Sequence, residues 1–201
     1  MLRITTIILA AGASRRLGFN KLCVRLNGEA VIRRTVRLFM ETQASRIVVV
    51  TGFEKERVER ELAGLPVIFA HNERHEEGMS GSIRAALPEI SASDLAFFHL
   101  GDKPFFDPGI IDRMIKMYET EKYPIIISVH NGIKGHPVLV DVGKHWSAIA
   151  AVEGEGGLRE VVAAHPGDVR FIEGGEGSIL DLDTDDDISL LIRRGYTVEK
   201  G

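Results

Sequence analysis

Short apolar runs alternate with helix-like segments along this 201-residue chain, and this alternation constrains its fold more than any other feature. We predict strands at residues 4–9, 46–51, 67–70, 95–100, 125–129, 137–140 and 169–172. The first, second, fourth and fifth runs are almost continuously apolar, as is typical of strands covered on both faces. Helical patterns lie between them at residues 31–40, 54–62 and 108–119. The pattern predicts an α/β fold in three layers, α/β/α, with a mostly parallel sheet.

The composition is that of an ordinary globular protein, with 44% hydrophobic and 27% charged residues. The length suits one domain and no linker, repeat or low-complexity run divides the chain, so we expect a single domain over residues 1–201. The net charge of −4 argues against sequence-independent binding of nucleic acid, which needs a basic face.

The sequence also constrains the cellular setting. The single cysteine, Cys23, cannot form an internal disulfide, so we expect a reducing cytoplasm. No run reaches the ~18 apolar residues that a membrane helix needs, and no signal-peptide pattern precedes the first strand. We therefore expect a cytoplasmic protein that does not bind membranes.

Three loops carry the chemistry that stands out in this chain, and they follow the strands that end at residues 9, 70 and 100. Ligands of open α/β sheets bind beyond the carboxyl ends of the strands, so we expect these loops to share one edge. A tight turn is also predicted at Asn27-Gly28, where it would close a small ribbon between Leu22 and Ile32.

The first loop, residues 9–21, combines small residues with a hydroxyl, two guanidiniums and an ammonium. Its backbone N–H groups and cations suit a polyanion, most simply a nucleoside triphosphate. The glycine spacing is neither that of a Walker A loop nor that of a dinucleotide fingerprint. We expect Arg16 and Lys21 to lie over the phosphates and neutralise the charge of departing pyrophosphate. The alternative is a surface turn with solvated cations.

The second and third loops each allow a functional and a purely structural interpretation. The second, residues 72–83, leads into a helix that Ser80 or Ser82 could cap, with or without a bound ligand. The third places Asp102 at the end of a buried strand, where its carboxylate suits a Mg²⁺ that bridges phosphates. The alternative for this third loop is a plain Asp-Pro turn.

A run of acidic residues near the end of the chain, residues 181–187, offers further carboxylates. Thr184 and Asp187 have the spacing of a capping box, and acidic side chains in a first helical turn favour the helix dipole. We therefore assign Asp185, Asp186 and Asp187 to a helix start.

Residues 9–21, read as L-A-A-G-x-S-x-R-x-G-x-x-K, resemble the signature of the molybdenum cofactor nucleotidyltransferases, in the Rossmann-like nucleotidyltransferase superfamily. Further matches run in the family's order as far as Asp187. Within the family, the L-A-A-G form is similar to the cytidylyltransferases, whereas guanylyltransferases usually have L-A-G-G. Ala11 therefore favours CTP. The resemblance implies the Rossmann-like nucleotidyltransferase fold.

The resemblance also implies a set of site residues. Residues 72–83 are similar to a family segment, N-x5-G-M-x-x-S-I/L, that approaches the base and ribose, and Asp183 matches a metal-binding aspartate, with Asp181 as a possible addition. The implied catalytic residues are Arg16, Lys21 and Asp102. Mg²⁺, or Mn²⁺ in its place, would be held by Asp102 and Asp183. The implied nucleotide-binding residues are Leu9, Ala10, Ala11, Gly12, Ser14, Arg16, Lys21, Asn72, Gly78, Ser80 and Ser82.

Two segments resemble the acceptor side of the family's site. Residues 135–139 are similar to a G-x-P-V-L/F strand and residues 154–159 to a G-D-x-G-A-R segment. The implied acceptor-binding residues are Pro104, His136, Pro137 and Arg159. The structural alternatives are a packed His136 and a helix-surface ion pair between Glu155 and Arg159. The chain departs from the family at Lys103, Glu155, Leu158 and Asp185; Lys103 could touch phosphate or point to solvent.

By resemblance, the protein would transfer CMP from CTP to the terminal phosphate of molybdopterin and pass the product to a molybdoenzyme or its chaperone. One alternative is guanylyl transfer, or nucleotidyl transfer to another phosphorylated small molecule. The other is a nucleotide-binding regulator or cofactor chaperone without catalysis. The remaining histidines lack metal-ligand spacing, and we expect His99 to be a core residue with its hydrogen bonds satisfied.

Overall fold

A seven-stranded sheet forms the centre of the protein, and a computed structural model describes residues 2–44 and 46–200. The strands are β1 (Ile4–Ala10), β2 (Arg25–Leu26), β3 (Glu29–Ala30), β4 (Arg46–Thr51), β5 (Val67–His71), β6 (Leu95–Leu100), β7 (Ile125–His130), β8 (Ile133–Asp141), β9 (Val169–Glu173) and β10 (Val198–Glu199). The helices are α1 (Val31–Met40), α2 (Lys55–Glu61), α3 (Met79–Ile90), α4 (Gly109–Glu121), α5 (Val142–Ala150), α6 (Leu158–Ala164) and α7 (Asp185–Arg193). Every strand and helix predicted from the sequence is present, with ends that shift by only a few residues.

The strands follow the order β5-β4-β1-β6-β8-β7-β9. The pairs β1/β4, β1/β6, β4/β5 and β7/β9 are parallel, whereas β8 runs antiparallel to both β6 and β7. The prediction of a mostly parallel sheet is therefore confirmed. Because β1, β5 and β6 run in the same direction, the loops that follow them open on one edge.

Helices cover both faces of the sheet, because neighbouring residues of the central strands point to opposite sides. Ile8 of β1 belongs to a core that includes Phe39 of α1 and Met114 of α4. Ile7 belongs to a second core, on the other face, with Ile83 of α3. The three-layer arrangement is thus confirmed. None of the described helices is long and apolar enough to cross a membrane.

The predicted ribbon forms around Asn27-Gly28, where both residues have positive φ, and it joins β2 to β3. The sequence did not indicate its third strand: β10 pairs antiparallel with β2 and brings residues near the end of the chain back to the beginning. A third core lies beneath this small sheet and contains Leu26, Leu182 and Leu191. These contacts hold α7, and the segment before it, against the first part of the chain.

Residues 174–184, which we call the return segment, approach the sheet very closely. A Cβ added to Gly177 would lie 1.9 Å from the carbonyl oxygen of Phe105, and one added to Gly135 would lie 2.4 Å from that of Ser178. The backbone N–H of Leu182 donates to the carbonyl oxygen of Asp102 at 3.2 Å. The acidic residues near the end of the chain are therefore held beside the loop after β6.

We expect Gly177→Ala to lower the free energy of unfolding by about 2–3 kcal/mol, because the added methyl group forces the return segment away from Phe105. Gly167→Ala is a matched control, since a Cβ there meets no atom within 4 Å. Urea unfolding of both variants measures the effect. Equal stability of the two variants would contradict the close approach.

Candidate functional site

A cavity of about 540 Å³ opens at the carboxyl edge of the sheet. Residues from all three loops that the sequence singled out line it, including Gly12, Gly78 and Asp102. The return segment adds Asp183, and α6 adds Arg159. The prediction that the three loops share one edge is confirmed.

The first loop exposes backbone donors to this cavity. Ser14 has a φ of 50°, its carbonyl oxygen accepts from the N–H of Leu17 at 3.1 Å, and its hydroxyl oxygen accepts from the N–H of Lys21 at 3.2 Å. Within residues 2–44 and 46–200, no hydrogen bond to a protein acceptor uses the backbone N–H groups of residues 12–16. A cluster of unused amides beside cationic side chains is suited to bind phosphate groups.

The ammonium group of Lys21 lies between two carboxylates. It donates to Asp102, and to Oδ1 of Asp183 at 2.7 Å. The guanidinium of Arg16 pairs with the other oxygen of Asp183. Burial lowers the pKa of Lys21, but the charges and hydrogen bonds of both carboxylates outweigh burial and leave the pKa above its ordinary value. Lys21 is therefore a permanent cation at neutral pH.

The two carboxylates around Lys21 are suited to act as ligands of a small divalent cation. Asp102 and Asp183 contact the same nitrogen atom, so one cation can reach both carboxylates. Mg²⁺ typically uses one or two protein carboxylates and completes its octahedron with water and substrate phosphate. Among the described residues no group of three or more acidic, histidine or cysteine side chains could hold a metal, so ligand oxygens would have to supply the rest. The assignment of metal to this pair stays a prediction.

The second loop differs from the expectation that a serine caps the helix. α3 begins at Met79 with Gly78 at its cap position, and Ser80 and Ser82 lie inside the helix, so the predicted cap was wrong. The cause is a close backbone approach: Gly78 has a φ of 104°, and a Cβ there would lie 2.6 Å from the carbonyl oxygen of Gly154. The helix start is thereby fixed against the segment that leads to α6.

Most of the predicted site residues line the cavity: Leu9, Ala10, Ala11, Gly12, Ser14, Arg16, Lys21, Gly78, Ser82, Asp102, Arg159 and Asp183. Those that do not are Asn72, Ser80, Pro104, His136 and Pro137. The ligand contacts predicted for both groups stay predictions.

The residues outside the cavity lining support its walls. The side-chain amide of buried Asn72 donates to Ser82 Oγ at 3.1 Å, and Ser80 Oγ accepts from the N–H of Gly157 at 3.3 Å. The carbonyl oxygen of Pro104 accepts from Nε of Arg34 at 3.1 Å. These contacts fix the second loop, the start of α6 and the loop after β6, respectively.

His136 is half-buried on β8, next to the strand that carries Asp102. Its Nδ1–H donates to the carbonyl oxygen of Phe98 at 3.3 Å, and its ring lies edge-on to that of His99, 5.8 Å away. Burial lowers the pKa of His136 to about 4. The ring is therefore neutral at physiological pH and leaves Nε2 as an acceptor.

His99 and Cys23 are both core residues. His99 is fully buried and its Nε2 contacts the carbonyl oxygen of Lys103 at 3.0 Å, but Nδ1 has no partner among the described residues. The expectation of a fully satisfied His99 is thus only half right. Burial raises the pKa of Cys23, which disfavours the reactive thiolate.

Four polar residues that line the cavity were not predicted as site residues: Arg15, His75, Glu76 and Glu155. Arg15 is adjacent to a predicted residue, and His75 and Glu76 lie inside the second loop, so their positions in those segments were the available signals. Glu155 was considered as an ion-pair partner of Arg159, but among the described residues these two side chains form no such pair. Both remain available to a ligand.

Unused amides, cationic side chains and paired carboxylates at the edge of a parallel sheet have the chemistry expected of a site for phosphate groups. Residues 6–169 match the family described as the MobA-like NTP transferase domain, and the chain belongs to this family of nucleotidyltransferases.

Individual relatives agree with this assignment. The chain is 29% identical to the molybdenum cofactor cytidylyltransferase of Escherichia coli K12, over 98% of this chain and 99% of that protein. It is 30% identical to a probable molybdenum cofactor guanylyltransferase of Natranaerobius thermophilus, over 64% of this chain and 62% of that protein. The crystal structure of Rv0371c from Mycobacterium tuberculosis H37Rv has the same fold, with a TM-score of 0.84, 24% identity and coverage of 96% and 98%.

We expect the ring of His136 to titrate with a pKa below 5 in the folded protein, because burial disfavours its charged form. The folded-state pKa lies below the unfolded value of about 6.5, so the stability that neutral His136 contributes is complete above pH 6.5 and is lost as the pH falls towards 4. NMR of the histidine rings measures the pKa directly. Between pH 7 and pH 4.5, the free energy of unfolding of the wild type should fall by about 2 kcal/mol more than that of His136→Gln. A ring pKa near 6.5 would contradict the expectation.

Proposed function

We propose that this protein transfers CMP from CTP to the terminal phosphate of molybdopterin and releases pyrophosphate, acting as a single nucleotidyltransferase domain. The observation that carries the proposal is the meeting of Lys21 with Asp102 and Asp183 beside the unused amides of the first loop. These groups can neutralise a triphosphate and hold a divalent cation in one place. Similarity to the E. coli cytidylyltransferase over nearly the whole of both chains supports the substrates.

The choice of CTP rests on Ala11 and on the extent of the similarity. Ala11 lines the cavity at the position where the resemblance distinguishes cytidylyl from guanylyl transfer. The cytidylyltransferase relative matches 98% of this chain, whereas the guanylyltransferase relative matches 64%. Because the two identities are nearly equal, 29% and 30%, guanylyl transfer is the second candidate.

The proposed reaction is a direct in-line displacement at the α-phosphorus of the nucleotide. An oxygen of the acceptor phosphate forms the new P–O bond, the bond to the β-phosphate breaks, and pyrophosphate leaves with the bonding electron pair. The acceptor phosphate is already an anion near neutral pH, so the chain needs no strong general base. Positioning and charge stabilisation account for most of the catalysis of such a step.

The chain's own residues supply that positioning and charge. The amides of residues 12–16 would hold the phosphates, while Arg16 and Lys21 would neutralise the charge that develops on pyrophosphate. Asp102 and Asp183 would hold Mg²⁺, or Mn²⁺ in its place, which when bound stabilises negative charge on the reacting phosphates. In the free protein Lys21 and Arg16 neutralise these same carboxylates, so a bound cation would release both side chains towards the nucleotide.

We assign the acceptor to the side of the cavity that Arg159 lines, with Pro104, His136 and Pro137 as the further acceptor residues that the resemblance implies. The exposed guanidinium of Arg159 is suited to an acceptor phosphate. We further propose a cytoplasmic protein that passes its product to a molybdoenzyme or to the chaperone of one. The net charge of −4 supports a small-molecule acceptor over a nucleic acid.

Pyrophosphate release from CTP and from GTP, each with Mg²⁺ and with or without molybdopterin, tests the proposal. We expect release only with CTP and molybdopterin together. Release with GTP instead would establish the second candidate. Nucleotide binding without release under any condition would indicate another acceptor or a regulator without catalysis, and would contradict the proposed reaction.

We expect Asp102→Ala to abolish transfer, because the cation would lose one of its two carboxylates. The fold should survive, since Lys21 keeps Asp183 as a partner. Steady-state rates together with thermal unfolding check both statements. Asp107→Ala is a control, because Asp107 is an exposed carboxylate on the same loop that pairs with Arg113 outside the cavity. Activity of Asp102→Ala at the control's level would remove Asp102 from the mechanism.

A further inference from the structure

Lys103 is a buried lysine directly after Asp102, and it faces neither the cavity nor solvent. Its side chain is only 8% exposed. Its ammonium group donates to the carbonyl oxygen of Ile179 at 2.9 Å and to Oδ2 of Asp181 at 3.2 Å. The sequence left two positions open for Lys103, in contact with phosphate or exposed to solvent. The structure shows neither, because the side chain contacts the return segment instead.

The backbone of Lys103 is held as firmly as its side chain. Its N–H donates to the carbonyl oxygen of Leu100 at 3.3 Å, and its carbonyl oxygen contacts Nε2 of the fully buried His99 at 3.0 Å. A buried cation is costly unless hydrogen bonds and an opposite charge compensate it, and Lys103 has both. Lys103 is therefore a fixed connection between the core and the return segment.

A second contact joins the same two segments next to this one. The N–H of Leu182 donates to the carbonyl oxygen of Asp102 at 3.2 Å. Residues 179–182 are thus attached to residues 102–103 by side-chain and backbone bonds together. The next residue is Asp183, whose carboxylate meets that of Asp102 at the ammonium group of Lys21.

Lys103 pairs with one of two acidic residues of the return segment that lie close to the first loop. Asp181 and Asp183 are two positions apart, and both line the cavity. The ammonium group of Lys103 neutralises Asp181. Among the residues that the structure describes, the carboxylate of Asp183 forms ion pairs with Lys21 and Arg16 of the first loop, which a bound ligand could attract away.

We propose that Lys103 is a positioning residue, which anchors the return segment and selects Asp183 rather than Asp181 to join Asp102 in holding the divalent cation. This proposal rests on the proposed function, because it assumes that these two carboxylates bind the cation. Lys103 itself touches neither the nucleotide cavity nor the carboxylates of the pair.

Substitution of Lys103 distinguishes a positioning role from a simple effect of its charge, because the two would change the affinity for a divalent cation in opposite directions. Removal of a positive charge near a cation site would by itself tighten cation binding. Loss of the anchor would weaken it, since Asp183 would no longer be held opposite Asp102. Lys103→Met removes the charge and both donors but keeps a long apolar stem for the buried position.

The experiment titrates Mn²⁺ into the free protein, with unbound Mn²⁺ measured by electron paramagnetic resonance. We expect Lys103→Met to raise the Kd for Mn²⁺ about 10-fold. Amide hydrogen exchange of the metal-free protein should accelerate about 10-fold in residues 179–184, with the central strands unchanged. Lys103→Gln, which keeps a donor, should recover part of both effects.

Lys144→Met is the matched control, because Lys144 is exposed on α5 and the substitution removes the same charge. It should leave both measurements at wild-type values. Unchanged or tighter Mn²⁺ binding by folded Lys103→Met would overturn the proposal, as would faster exchange with unaltered Mn²⁺ affinity. If Lys103→Met does not fold, the same criteria apply to Lys103→Gln.

Failure of the proposed function gives a different result. In that case the wild-type protein would bind no Mn²⁺ and release no pyrophosphate, and the role assigned to Lys103 would be overturned with it. Wild-type binding and release together with unaltered Lys103 variants would overturn the positioning role alone.

Discussion

The ammonium group of Lys21 holds together carboxylates from two distant parts of the chain, and the rest of the site depends on this contact. Asp102 follows a central strand, whereas Asp183 arrives on the return segment from near the end of the chain. Without the cation, two like charges would face each other in a partly buried place, at a considerable electrostatic cost. In the proposed reaction a divalent cation would take the place of Lys21 between the same two carboxylates.

The sheet determines where this contact forms. Strands β1, β5 and β6 end at one edge, so loops from distant parts of the sequence meet there without long excursions. The small sheet of β2, β3 and β10, with the core around Leu182, holds the return segment against that edge. Lys103 adds an internal attachment between the loop after β6 and the same segment. The fold thus brings the loops to one edge of the sheet, while individual side chains such as Lys103 determine the contacts between them.

The sequence was informative about elements and weak about individual contacts. Apolar periodicity predicted the strands and helices because burial against the sheet fixes that pattern. The serine caps of α3 were wrong because a glycine backbone approach, between Gly78 and Gly154, fixes the helix start instead. The half-satisfied His99 and the buried Lys103 were equally unpredictable, since both depend on partners that are remote in sequence or set by packing.

By itself the sequence determined the fold class, the loops that carry the chemistry, and the residue types in them. Hydrophobic spacing and short motifs depend on residues that are close in sequence, so they can be recognised without the tertiary structure. Only the tertiary structure decided that Lys21 bridges Asp102 and Asp183, that Asp181 pairs with Lys103, and that Asn72 and Ser80 support the cavity from behind. Those outcomes follow from which side chains meet after the chain has folded, and no spacing along the sequence encodes such distances.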